Sequence, residues 1–354
     1  MELSIGTEGR NEFLCFELAK SAKELVENVM IVKDKEDVVI TADTSSDERV
    51  VKATANAVYT AGAIPTIVWY ETRSTPVIEP PKPVAGAVKN ADVWIEYSYA
   101  YILHTQAWKD SLKSGVRYIC LSGMDVSMMV NTIGRINYTK MLKLGEALRN
   151  MVEQADEVVI KSQAGTNLIA YNKGRKVRQS GKLADTPGEP IMLGGQVSWC
   201  PMEETINGLL VFDGALWPPA EIGLLSSPVK LTLEKGVVTK IEGGQEANIF
   251  ERWLASFDDS TMYHLAHYSL GFNPGVRKCT GRIVEDERTF GCIEMGLGSQ
   301  GPQIMGKTWK SASHTDGIVL NPTIILDGKI VEKEGKYVHS ELIKICKGLN
   351  VEGY

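Results

Sequence analysis

The sequence predicts a chain in two parts. An α/β domain built on a parallel sheet spans residues 1–155, and an α+β domain with mostly antiparallel strands, carrying the candidate metal ligands, spans 156–354. Three observations carry that prediction. Up to about residue 155, short β-branched and almost continuously apolar segments alternate with amphipathic stretches at helical spacing, the pattern of a parallel sheet covered on both faces. Beyond it, glycine and turn signals become frequent and apolar–polar alternation replaces the continuous runs. The length of 354 residues suits two domains and a substantial core.

The elements follow in order. Within 11–30, Phe13, Phe16, Leu25 and Val29 stand among polar residues at helical spacing. A strand at 38–41 leads to a helix at 47–61, with Ser45 or Ser46 as its cap, and then to a strand at 65–70. Residues 72–83 read as a proline-rich loop. Strands at 91–95 and 116–121 bracket a helix that begins after His104. A long amphipathic helix at 138–155 runs into a strand at 157–160. In the second half, 208–212 is an apolar strand. Residues 229–244 alternate about Lys235-Gly236 as a hairpin, 246–257 is a helix, and 323–331 is a hairpin turning at Asp327-Gly328.

Composition narrows the function classes. Thirty-eight basic against 44 acidic residues leave a formal charge of −6, which gives no attraction to nucleic acid or to an anionic membrane. No apolar run approaches the ~18–20 residues needed to span a bilayer. The start, MELSIGTEGRNEF, lacks the basic and apolar regions of a secretory leader. Six scattered cysteines (15, 120, 200, 279, 292 and 346) form no C-x-x-C pair and read as small core residues in a reducing compartment. A cytoplasmic protein is expected.

Histidine is scarce, with five in the chain, so any imidazole chemistry draws on a short set. In SASHTDGIV, an extended backbone puts His314 and Asp316 on one face, where they can share a metal as half of a 2-His-1-carboxylate site. The bland alternative is a solvated turn before Gly317. In YHLAHYSLGFNP, a helix would put His264 and His267 on one face. Either one can supply the missing ligand, or both are hydrogen-bonded histidines at a helix end. Glu294 stands in the otherwise apolar run 291–296, so burial there would require pairing, protonation or metal. Glu203 and Glu204 are expected at the surface. His104 follows a strand of the parallel sheet, where open α/β sheets bind ligands, and equally suits an exposed helix N-terminus. His339 stands near the C-terminal helix without an assignable role. Residues 296–301 formally satisfy G-x-G-x-x-G, but Pro302 follows and the run lies deep in the antiparallel half, so a tight turn or a close backbone approach is expected there.

The pairing of YHLAHYSLGFNP with SHTD, together with IKSQAGTNL and GLLVFDGALWPP, resembles the 2,5-dihydroxypyridine 5,6-dioxygenases, part of a larger group that includes the aminopeptidase T-like metallopeptidases. The likeness is strongest over 157–335. It implies a non-haem iron(II) enzyme that cleaves the ring of a hydroxylated N-heteroaromatic with dioxygen, in a homo-oligomer. It implies His267, His314 and Asp316 as the Fe(2+) ligands and His104 as a catalytic proton carrier, acting in its own or a neighbouring subunit. Glu294 and His264 become candidates for an added ligand or for a partner of one. The peptidases carry a metal carboxylate where this chain reads Gly194-Gly195-Gln196-Val197, and another where it has His267. The resemblance also leads one to expect a further pocket histidine at 180–195, where this chain has Glu189, Pro190 and Met192. A metal-dependent hydrolase of the peptidase type, with Glu294 as base or ligand, is the alternative, and a non-catalytic module the third reading.

Overall fold

The segment DVVITAD has four β-branched residues in succession, at 38–41. Only a strand covered on both faces can bury such a run. The computed structural model describes residues 10–304 and 306–354, and in it β1 (Asp37–Asp43) is buried at every position after Asp37. β1 lies between β2 (Ile64–Tyr70) and β3 (Val93–Glu96). β4 (Arg117–Cys120) and the strand Pro190–Met192 complete a five-stranded sheet in which every pair is parallel.

The helices of this sheet are α1 (Cys15–Lys23), α2 (Glu48–Thr60), α3 (Lys82–Lys89) and α4 (Gln106–Lys113). α2 turns Val50, Val51, Thr54 and Val58 inward at helical spacing. Its cap is Asp47, whose carboxylate accepts the Arg49 amide at 3.0 Å, and neither of the serines expected. The Ser46 hydroxyl is already committed to Asp43 and to the Tyr97 carbonyl. The helix expected over 11–30 is α-helical only in α1 and continues as a π-helical turn, Glu24–Val29. α3 starts inside the stretch read as a proline-rich loop, since Pro83 is tolerated in a first helical turn. On this sheet, Trp94 of β3 and Tyr118 of β4 pack with centroids 4.5 Å apart, among Val39, Val84, Val88 and Ile102.

Two compact units divide the chain. Residues to Thr139 join Gly181–Leu193 in one, and Lys140–Ser180 joins Gly194–Tyr354 in the other. The single boundary near 155 therefore differs from the observed division. Most of the helix Tyr138–Gln154 and the strand Glu157–Lys161 fall in the second unit, where Glu157–Lys161 pairs antiparallel with Asn167–Tyr171 and Thr323–Leu326.

The second unit holds two sheets, antiparallel at every pairing. The eight-stranded one includes both expected hairpins. Their turn residues, Lys235-Gly236 and Asp327-Gly328, all have positive φ, as the tightest hairpin turns require. The seven-stranded sheet runs in the order Gly223–Leu224, Ala215–Trp217, Trp309–Val319, Cys292–Gln300, Leu265–Gly271, Gln196–Trp199, Arg178–Gln179. The two sheets approach closely where the Phe212 ring lies 2.5 Å from the position a Cβ on Gly317 would take. No helix among the described residues is long and apolar enough to cross a membrane.

Candidate metal centre

Three consecutive strands of the seven-stranded sheet build the site. His267 lies on Leu265–Gly271, Glu294 on Cys292–Gln300, and His314 and Asp316 on Trp309–Val319. The helix considered for 263–274 is a strand instead. Residues directly opposite across antiparallel strands share a face, so register decides which side chains meet. One row is His267, Gly296, Asp316; the next is Ser269, Glu294, Ile318; on the other side, Gly298 faces His314.

The central residue of this array has no side chain. A Cβ on Gly296 would stand 2.4 Å from His267 Cε1 and 2.8 Å from His314 Cε1, so both imidazoles lie over the bare backbone. Gly298 has φ +91°, and a Cβ there would meet the Ser313 carbonyl at 2.5 Å. Gly296 thus makes room for the two rings, and Gly298 for the backbone of the neighbouring strand. The run lies largely along a strand and opens no α-helix, so the geometry of a dinucleotide loop is absent.

The rings of His267 and His314 stack 13° from parallel with centroids 5.2 Å apart. Both Nε2 atoms face Asp316 Oδ1, at 3.7 Å from His267 and 3.0 Å from His314. Ligand atoms of His267, His314 and Asp316 lie within 4.8 Å of one another, the one such group of three among the described residues. Two imidazoles and a carboxylate on one face suit a divalent first-row metal and leave other coordination positions open. Of the two His314 ring nitrogens, Nε2 is the one aimed at the shared point, 3.0 Å from Asp316 Oδ1.

Glu294 adds a second carboxyl. It is 0% exposed, whereas the His314 side chain is 34% exposed, so the cluster opens on the His314 side. Glu294 Oε2 lies 3.1 Å from His267 Nε2. Burial, with the nearby charges of Asp316 and Glu287, drives the Glu294 carboxyl well above the usual range, while Asp316 stays ionised. Of the two acids, Asp316 is the one held between two imidazoles. Burial, with His314 alongside, lowers the His267 imidazole to about 4. Burial also opposes the charged form of His314, but Asp316 outweighs it and the net shift is upward.

The remaining candidates lie elsewhere. His264 precedes its strand and packs edge-on against Trp309 at 5.7 Å, outside the cluster. His104 belongs to the first unit. It precedes the Thr105 cap of α4 in a left-handed conformation, φ 75°, with its ring edge-on to Trp108 at 5.3 Å. Partial burial and the Lys109 charge lower its imidazole below the ordinary range, which favours the neutral form. Glu203 is buried, contrary to expectation, accepting the Lys307 amide at 2.7 Å and pairing with Arg175, while Glu204 is exposed and pairs with Lys307. Glu287, whose charge bears on Asp316 and Glu294, gave no sequence signal because it stands in the unremarkable acidic run 285–287.

The chain is similar to known proteins along most of its length. The family described as 2,5-dihydroxypyridine 5,6-dioxygenase matches residues 20–339. A 2,5-dihydroxypyridine 5,6-dioxygenase of Pseudomonas putida KT2440 is 27% identical over 251 residues, 68% of this chain and 69% of that protein. In fold, the chain is similar to the solved 2,5-dihydroxypyridine dioxygenase of P. putida KT2440, with TM-score 0.73 and 21% identity over 94% of this chain and 99% of the other. It is also similar to wild-type AmpT from Thermus thermophilus, with TM-score 0.64 and 14% identity over 92% and 100%.

Proposed function

Because the chain belongs to the 2,5-dihydroxypyridine 5,6-dioxygenase family, we propose that it is an iron(II) dioxygenase that opens the ring of a hydroxylated N-heteroaromatic, with 2,5-dihydroxypyridine as substrate. The observation that carries the reading is the convergence of His267, His314 and Asp316 within 4.8 Å on one sheet face, in a chain matched by that family along 20–339. These three residues would hold the metal. Iron(II), when bound, supplies neighbouring positions for substrate and dioxygen and a route for electron density between them.

The chain's own residues supply the rest. The strand register fixes the ligand side chains to one face, so the reactants are oriented by a rigid element rather than a loop. Glu294, kept protonated by burial beside Asp316, limits the negative charge of the cluster to one carboxylate. His104, held neutral, suits the role of accepting a proton from a ring hydroxyl near pH 7. A homo-oligomer, inside the cytoplasm, completes the proposal.

One observation favours a second reading. A buried carboxyl 3.1 Å from His267 is also what a metal-dependent hydrolase would use as base or additional ligand. Oxygen uptake by the anaerobically purified, iron(II)-loaded protein separates the two. We expect uptake with 2,5-dihydroxypyridine, and loss of both iron and at least about a hundredfold of activity in His314→Ala. No uptake with any of a panel of hydroxypyridines and dihydroxybenzenes, with amide cleavage in its place, would move the assignment to hydrolysis. Equal, negligible iron in wild type and His314→Ala would overturn the site.

A further inference from the structure

The strand order β2-β1-β3-β4 reverses direction between β1 and β3, and the carboxyl ends of those two strands carry Asp43 and Glu96. In open α/β sheets a ligand ordinarily enters the crevice at such a point. Here the chain itself enters. Ile102 N donates to Glu96 Oε1 at 2.6 Å, and the Leu103 amide also supports the Glu96 carboxylate. Ala100 N donates to Asp43 Oδ2 at 3.0 Å. Tyr118 OH, from β4, donates to Glu96 Oε2. Both carboxylates are fully buried, and the segment 97–105 that they hold ends at His104 and the Thr105 cap. A third carboxylate, Glu79, receives the amides of Gln106 and Ala107 just beyond.

We propose that Glu96, with Asp43, is a positioning residue for His104: the two buried carboxylates clamp the backbone of the loop and hold His104 in its left-handed conformation. A non-glycine residue at φ 75° is strained and persists only where its surroundings over-determine it. The amide bonds at 100, 102 and 103 are that determination, one to four residues before the imidazole. The inference rests on the reading of His104 as proton carrier.

Charge state enters through the same bonds. Burial pushes Glu96 up to about 7, against the pull of Tyr118 and the two amides and with the help of the Asp43 charge. The other titratable groups facing it are Cys120 on β4 and Tyr70 on β2, both pushed up to about 12 by burial, and Tyr101 in the loop itself, which burial also raises, so all three are neutral around pH 7. Ionisation of Glu96 strengthens its hold on the amides. Turnover therefore rises as pH passes through about 7, above the separate and lower titration of His104.

The test compares the iron-loaded full-length wild type with Glu96→Gln, His104→Gln and the double variant, by oxygen uptake with 2,5-dihydroxypyridine across pH and by amide hydrogen exchange. A glutamine amide keeps the shape but places an NH2 donor where Glu96 accepts. We expect kcat to fall about tenfold in Glu96→Gln with KM within about twofold, and the limb near pH 7 to vanish. We expect exchange over 97–105 to quicken about tenfold, and the double variant to be no slower than His104→Gln, as for groups acting as one unit. Tyr118→Phe, which keeps the carboxylate and the packing, is expected to change kcat and exchange in the same direction by about threefold and to move the limb to higher pH rather than abolish it, and it stands in if Glu96→Gln does not fold. Unchanged exchange and kcat, or additive losses in the double variant, would overturn the proposal. Full turnover in His104→Gln would remove His104 as proton carrier; any loss in Glu96→Gln would then run through another group, and the proposal would fall with it.

Discussion

At the scale of single residues, the centre depends as much on Gly296 as on its ligands. Both imidazoles occupy the volume that any Cβ at 296 would claim. Gly296→Ala is therefore expected to cost about 1–3 kcal/mol of stability through overpacking. It should weaken metal binding by more than tenfold, because it pushes the Nε2 atoms apart. Circular dichroism would show the sheet intact, and metal analysis after dialysis would show the loss. Retention of a full metal complement in that variant would show that the rings have room to spare. In the sequence, His314 and Asp316 were legible as a pair because a period of two puts them on one face whenever the backbone is extended. Gly296 was visible only as a formal motif of another kind, since its part is set by cross-strand register that no local window contains.

At the scale of elements, ambiguity came from burial. Leu265–Gly271 is buried on both faces apart from partial exposure at His267, so its sequence lacks the polar alternation that marks a half-exposed strand. A helix and a strand then read alike. The hairpins at 229–244 and 323–331 were legible because glycine turn chemistry is local. The second of them carries a burden. Glu332, on Lys329–Lys333, is fully buried, and neither carboxylate oxygen has a hydrogen-bond partner. Burial raises it well above the usual range. A carboxyl whose folded value is raised stays protonated in the fold while the unfolded chain ionises. Stability is thus fullest below the unfolded value of ~4.3 and declines as pH rises from there toward the folded value. Glu332→Gln removes that titration, so its melting temperature relative to wild type should climb between about pH 4.5 and 7.5, with a gain of about 1–3 kcal/mol at the upper end. Parallel melting curves for the two proteins across that range would count against a buried, unpaired acid.

At the scale of the whole molecule, two classes of sheet were legible from composition alone: β-branched continuity for the parallel one, glycine and alternation for the antiparallel ones. The division between units was not. The strand Pro190–Met192 pairs with β4 from just past the midpoint of the chain, after Lys140–Ser180 has already joined the other unit, and a short excursion of this kind has no compositional mark. Metal affinity should register in the second unit alone. A metal bound at a thousand times its dissociation constant adds about 4 kcal/mol to the state that binds it. Chelation is therefore expected to lower the melting transition of the second unit by several degrees and to leave a first-unit transition where it was. In His314→Ala the chelator should have no effect. Scanning calorimetry with and without chelator reads both.

The three proposed ligands all lie within Leu265 to Val319, on strands that follow one another in the chain and pair in the same order. Closing such a meander costs little loop entropy, since each strand meets the one made just before it. Its kinetic consequence is that the cation's cage can assemble as soon as that stretch leaves the ribosome, before the terminal hairpin and helix exist. Loading would then be limited by the supply of metal rather than by the completion of the fold.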